Sequence, residues 1–320
     1  MKKFSLVLAT LAIALVVGFA LVSCATVQEI LEDVFYVGGS PGNITEGSGN
    51  EQSPNDFEIT QNAQGGITIT GYTGRTKQVV IPETIEGIKV TEIGPYAFAR
   101  SRLTFPTAES YYEGIGITSV TLPDGLITIG EGAFIGNDLT SITIPDSVTS
   151  IGERAFGWER LANTGGKLKS VAIGSGITSI EKETFYHNEL TSITIPDNVT
   201  IIGESAFSNN KITTVNIGNG VTSIGRSAFY NNQITSITIP DNITSIGDNA
   251  FNGNQITSIT IPDSVTSIRI NAFGDKLTSI TLPANVSYAG SFYNNFDDFY
   301  QSQNRKAGTY TWSGRIWRVD

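Results

Sequence analysis

From residue 57 onward the apolar positions of this chain form short strand-like runs separated by polar turns. Phe57-Glu58-Ile59-Thr60, Gly66-Ile67-Thr68-Ile69-Thr70 and Gln78-Val79-Val80-Ile81-Pro82 open the series. They read as an N-terminal cap leading into a first repeat, because a repeat array needs its open end covered. Ala-Phe or Thr-Phe pairs then place Phe at 98, 134, 156, 185, 207, 229, 251 and 273, and five of the seven intervals are 22 residues. The unit is clearest from Ile234 to Gln255, whose apolar residues are Ile234, Ile237, Ile239, Ile243, Ile246 and Phe251. One unit is too short to bury these side chains, so they must stack on their equivalents one coil away. Pro240 ends the strand where its missing N–H costs nothing, and Asp241 suits the following turn. Gly174 and Gly218 stand at the proline position of two other coils. At ~4.8 Å per coil, eight coils predict a rod of roughly 40 Å.

Asn137, Asn188, Asn210, Asn232 and Asn254 each fall three residues after a Phe, on the turn that re-enters the next strand. Stacking removes that turn's backbone from water, and a side-chain amide can satisfy it. The opening L-x-x-I-x-I of each unit is the strand signature of leucine-rich repeats. Ile-Thr-Ser-Ile-Thr-Ile-Pro followed by Val-Thr-Ser-Ile-Gly-x-x-Ala-Phe resembles the BspA-like, or treponemal, leucine-rich repeat over about Val79 to Pro283. Ile67 to Gly74 and Ala307 to Trp312 also resemble the ends of such lipoproteins. The resemblance implies a β-rich leucine-rich-repeat solenoid with parallel strands and short turns or 3-10 segments. It also implies a surface location, adhesion to host matrix proteins or other bacteria, and no shared catalytic site. Members often carry Cys where this chain has its Asn row.

Past Pro283 the period ends. Phe292, Phe296, Phe299 and Tyr300 recur at helical spacing, which predicts one amphipathic helix. Thr309 to Trp312 and Arg315 to Val319 flank Ser313-Gly314 as a hairpin. Both are read as a C-terminal cap. At the other end Lys2 and Lys3 precede an apolar run to Leu21, and Leu21-Val22-Ser23-Cys24 resembles the bacterial lipobox. Cleavage before Cys24 and lipidation of its sulfur are expected. The domain reading is therefore 1–23 lipoprotein signal, 24–56 lipid-anchored flexible tether, 57–97 cap and first repeat, 98–283 solenoid, and 284–320 C-terminal cap. The tether follows from a stretch rich in Gly, Ser, Pro, Asn and Glu. The expected location is secreted and lipid-anchored, at the outer membrane or cell surface, with a periplasm-facing anchor as the alternative.

Cys24 is the chain's one cysteine, so no internal disulfide can form. The net charge of -10 becomes -12 once Lys2 and Lys3 leave, which argues against a nucleic-acid partner. Catalytic groups are scarce. His187 is the only histidine and is read as a solvated turn residue, so neither a nucleophile–base pair nor a zinc site can be assembled. Asp124, Asp146, Asp197, Asp241 and Asp263 share one position after the turn proline, but Ser175 and Asn219 interrupt the column, which weakens a calcium reading. No cofactor, no metal and no enzymatic activity are expected.

Thr140, Ser141 and Thr143, with their equivalents in later coils, form an uncharged hydroxyl face. Two breaks in the period are more informative. After Phe98 the next strand waits until Ile117, and after Phe156 until Leu168. Both insertions leave the same edge, two coils or roughly 10 Å apart. They carry Tyr111, Tyr112, Trp158 and Arg160, residue types enriched at binding hot spots. These four are the candidate site for a protein or glycan partner on host or bacterial surfaces. A structural, self-associating envelope protein is the alternative.

Overall fold

The computed structural model describes residues 52–103, 110–158, 165–284, 286–288, 296–314 and 316–319. The signal segment, Cys24 and all of the tether before residue 52 lie outside these residues.

Most coils carry two very short strands rather than one. Ser141–Thr143, Ser192–Thr194 and Ser258–Thr260 belong to a first row, and Ser150–Ile151, Ser223–Ile224 and Ser245–Ile246 to a second. Pairing is parallel and one repeat out of step: Ser192 faces Thr214, and Ser223 faces Ser245. The Pro-Asp turn joins the rows, with the Val199 N–H donating to the Pro196 carbonyl at 3.1 Å. Threonines reinforce the second row. The hydroxyls of Thr200, Thr222 and Thr244 each donate to the carbonyl of the threonine one coil earlier, at 3.1 Å.

Beyond the second row the chain turns tightly into the Phe. Of the short turns or 3-10 segments expected there, the described repeats have turns, in which the residue two places before each Phe is left-handed. Arg154, Glu183, Ser205 and Ser227 have φ of 57, 55, 54 and 53°. This conformation is disfavoured for side chains other than Gly. Backbone bonds between coils hold it, such as Ser205 N–H to the Arg226 carbonyl at 2.9 Å and Ser227 N–H to Asp248 at 2.8 Å.

The apolar residues of each coil meet their equivalents as the period demands. From Phe156 to Phe251 the rings stack with centroids 5.6, 5.4, 5.3 and 5.3 Å apart and near-parallel planes. Ile224, Ile246 and Ile268 line the same interior and are buried. The Asn row closes the coil. The Asn210 side-chain carbonyl accepts the Leu190 N–H at 3.0 Å, and its amide donates to the carbonyls of Phe185 and Phe207 at 3.0 and 3.1 Å. Asn188, Asn232 and Asn254 repeat the arrangement. One side chain thus ties a coil's start to its own end and to the preceding coil.

Ile234–Pro240, the clearest copy in the sequence, forms no strand ladder with either neighbouring coil, and Ile237 is only half-buried there. No feature of its residues explains the gap.

Both ends are covered. Phe57–Gln61 pairs antiparallel with Ile67–Tyr72, which joins Ile88–Ile93 in parallel. Tyr72 packs on Phe98 at 5.6 Å. Ser53 and Asp56 form a capping box, and the Gln52 side-chain carbonyl accepts the Val80 N–H at 2.7 Å, so the stretch read as tether is bound to the first coil from Gln52. At the other end the hairpin of Gly308–Trp312 with Trp317–Val319 packs on Ser279–Leu282, and a short helix, Phe296–Ser302, packs on the hairpin through Phe296 against Tyr310 and Trp317. Phe296, Tyr300, Tyr310 and Trp317 are buried in this cap; Phe292 lies outside the described residues.

Candidate functional site

The first insertion is a β-hairpin. Ala99–Leu103 pairs antiparallel with Ser110–Gly114. The base of the hairpin rests on the next coil. A Cβ on Gly114 would collide with the backbone of Gly136 and Asn137, so only glycine permits that approach. The Tyr112 ring stacks on Tyr96, with centroids 3.8 Å apart and planes at 15°. The Tyr96 hydroxyl donates to Glu131 at 2.5 Å, and the ring covers Gly132, where a Cβ would meet it. Burial, the bond to Glu131 and that carboxylate's charge all push the Tyr96 phenol well above its usual range, while Arg154 pulls the other way. Arg154 comes from the following coil, where its Nε lies 2.5 Å from Glu183.

The second insertion leaves from Trp158, whose backbone N–H donates to the Tyr186 carbonyl at 3.0 Å. The side chain of Tyr111 and the whole of Arg160 lie outside the described residues. Of the four predicted residues, Tyr112 and Trp158 have described side chains: Tyr112 lies on Tyr96, and Trp158 stands two residues after Phe156. The intervening coils rise 4.7 and 5.4 Å at the Phe rings. In both coils that carry an insertion the Asn is missing: Ser101 and Glu159 stand three residues after the Phe. The Phe273 coil also lacks the Asn, with Lys276 at that position, but runs directly into Ser279–Leu282 without an insertion.

Beside Trp158 runs a groove of about 350 Å³ that the sequence pattern does not reveal. It crosses four coils. Arg154 and Trp158 begin it, then Glu183 and Tyr186, then Glu204, Ser205, Ser208 and Asn209, and last Arg226, Ser227 and Tyr230. These residues vary from coil to coil, so periodicity cannot single them out.

The other candidates have structural explanations. Thr140, Ser141, Thr143, Thr235, Ser236 and Thr238 are exposed, as the hydroxyl face requires. Asp146 and Asp197 accept the backbone N–H of Ser175 and Asn219 at 2.7 and 2.8 Å. The residues that interrupt the acidic column are therefore its partners. These bonds from Ser175, through its N–H and then its hydroxyl, hold the Asp146 carboxyl below its usual range. His187 is half-buried at φ 56°, not solvated, because this turn packs beneath Gly165, and its Nδ1 has no hydrogen-bond partner. No cluster of three or more metal-ligating side chains occurs among the described residues, and no described helix is long and apolar enough to cross a membrane.

Parallel two-row coils with a stacked Phe column and an Asn tie define a leucine-rich-repeat solenoid. The chain belongs to the BspA-type leucine-rich repeat family, whose model matches six copies over overlapping segments 107–233, 159–278 and 200–299. A leucine-rich cell surface protein from Faecalibacterium prausnitzii is similar in structure: identity is 26%, 79% of this chain and 73% of that one are covered, and the TM-score is 0.53. A leucine-rich repeat protein of T. pallidum has 20% identity, covers 76% of this chain and 83% of its own, and gives a TM-score of 0.32. The pneumococcal vaccine antigen PcpA has 17% identity over 74% and 83%, with a TM-score of 0.36. No curated relative matches the chain.

Proposed function

We propose that this protein is a non-catalytic bacterial surface lipoprotein, anchored through Cys24, whose solenoid binds protein partners on host matrix or neighbouring bacteria. The carrying observation is the insertion-bearing edge, where the Tyr112–Tyr96 stack and Trp158 present aromatic surface beside a polar groove. Aromatic side chains that need little further ordering suit a binding surface. Tyr111, Tyr112, Trp158 and Arg160 are the partner-contacting residues in this reading. Membership of the repeat family and the surface-protein relative support display outside the cell. In the proposed domain plan 1–23 is the cleaved signal, 24–56 the tether with its last residues from Gln52 docked on the first coil, 57–97 the first repeat with its cap, 98–283 the solenoid and 284–320 the terminal cap. A scarcity of catalytic groups supports a role without chemistry: one histidine and one cysteine.

The test is binding of the full chain to immobilised matrix proteins and whole bacteria, with Tyr112→Ala and Trp158→Ala as variants. Partner binding weakened by both variants supports the reading; binding that ignores both sinks it. Protease accessibility and labelled-lipid incorporation in intact cells, compared with Cys24→Ala, test the anchor. One observation favours the second reading, a self-associating envelope protein. Trp317–Val319 pairs on one side only among the described residues; its Val319 is 41% exposed and the preceding Ile316 54%. Self-association without any ligand would select it.

A further inference from the structure

We infer that the groove from Arg154 to Tyr230 is a binding site for a neutral oligosaccharide. It extends beyond the partner-binding edge of the previous section, with which it shares Trp158, and does not depend on that edge binding a protein.

The backbone of this region is already committed. The N–H groups of Arg154, Trp158, Glu183, Ser205, Asn209 and Ser227 all donate to carbonyls one coil on. No strand edge is open for an extended peptide to pair with, so recognition must run through side chains. Those side chains are of two kinds. Trp158, Tyr186 and Tyr230 are aromatic, and Tyr230 is 39% exposed. Between Tyr186 and Tyr230 the equivalent residue is Ser208, which is buried and gives the groove its depth. The coils concerned rise 5.4 and 5.3 Å at their Phe rings. Tyr186 and Tyr230 are thus two coil rises apart, with the Ser208 recess between them. The apolar C–H face of a pyranose packs on an aromatic ring face, as other apolar groups do.

The second kind is polar and planar or hydroxylic. Arg154 is bonded to Glu183, whereas neither Glu204 nor Arg226 takes part in a salt bridge among the described residues. Both are exposed, and Ser205 and Ser227 sit half-buried between them. A carboxylate accepts from, and a guanidinium donates to, the hydroxyls of one sugar, and such charged bonds are the strong ones. Two arginines and two glutamates leave the groove without net charge. A sulfated or sialylated chain would meet Glu183 and Glu204 and lose what the arginines give. A neutral polyhydroxylated chain uses both signs.

The test is retention of the full chain on a printed array holding neutral, uronic-acid, sulfated and sialylated oligosaccharides. Expected is retention on one or more neutral glycans, indifferent to salt. It should fall about tenfold or more in Tyr230→Ala and in Arg226→Ala. Both residues are on the surface, so the thermal midpoint should stay near that of the parent. Tyr112→Ala should leave the signal unchanged, which separates this site from the protein-binding edge. Retention of no neutral glycan, of acidic glycans alone, or of a neutral glycan that ignores Tyr230→Ala and Arg226→Ala would overturn the assignment.

Discussion

Tyr112 lies against Tyr96 with ring centroids 3.8 Å apart, and this stack joins an inserted hairpin to the body of the solenoid. The close approach of Gly114 to Gly136 is a second hold. An aromatic pair contributes about 0.5–1.5 kcal/mol beyond area burial. Tyr112→Ala should therefore loosen residues 99–114 while leaving the Phe column intact. Amide exchange should speed up in the hairpin alone. Faster exchange across coils beyond Phe156 would contradict a local role.

Tyr96 should titrate late. Its pKa is raised first by burial and then by Glu131, so the protonated phenol is favoured by folding. Its stabilising effect is complete below the unfolded value near 10 and is lost as pH rises through the folded value. Phenolate absorbance should show Tyr96 in a late-ionising group with Tyr72, Tyr300 and Tyr310, which burial also raises, and comparison with Tyr96→Phe assigns its step. Glu131→Gln should bring that step to lower pH; an unchanged step would remove Glu131 as a cause.

Gly132 supports the same stack from below. Its φ is +56°, and an added Cβ would strike the Tyr96 ring. Gly132→Ala should cost about 1–3 kcal/mol and displace Tyr96. Gly125 has open space around its Cβ position and no positive φ, so Gly125→Ala should be nearly neutral. Equal thermal midpoints for the two variants would refute the packing argument.

These features differ in how much the sequence reveals. The Phe column, the Asn tie and the hydroxyl face recur every 22 residues, and recurrence turns weak local preferences into a firm assignment. The left-handed residue before each Phe leaves little trace, because its occupants include Tyr96, Arg154, Glu183 and Ser205. Bonds between coils impose that conformation, so local propensity does not report it. The second strand row is hidden for a similar reason: two-residue strands are defined by their neighbours. Trp158 was legible from its place in an insertion. Tyr186 and Tyr230 were not, since each occupies a position that is Ser208 or Asn252 elsewhere, and only stacking lines them up with Arg226 and Glu204.

The Asn tie gives the sharpest stability prediction, because one amide serves four backbone groups out of contact with water. Asn210 is 7% exposed, accepts from Leu190 and donates to Phe185, Phe207 and Ser208. Asn210→Ala strips the partner from one N–H and removes a donor from three carbonyls. The carbonyls each keep a second donor, Asn188 for Phe185, Asn232 for Phe207 and the His187 N–H for Ser208, so the orphaned Leu190 N–H carries most of the loss. A buried group left unsatisfied costs about 1–3 kcal/mol, and with the weakened carbonyls a loss of about 2–4 kcal/mol is expected. Asn210→Asp should be worse near neutral pH, since it keeps the acceptor, loses all the amide's donations and buries a charge. Lowering the pH should narrow the gap, because the protonated carboxyl of that variant regains one O–H donor. Denaturant unfolding of both variants at neutral and acid pH decides the matter. If the Ala variant proved the less stable of the two at neutral pH, the amide's donations would matter less than its acceptance of the Leu190 N–H.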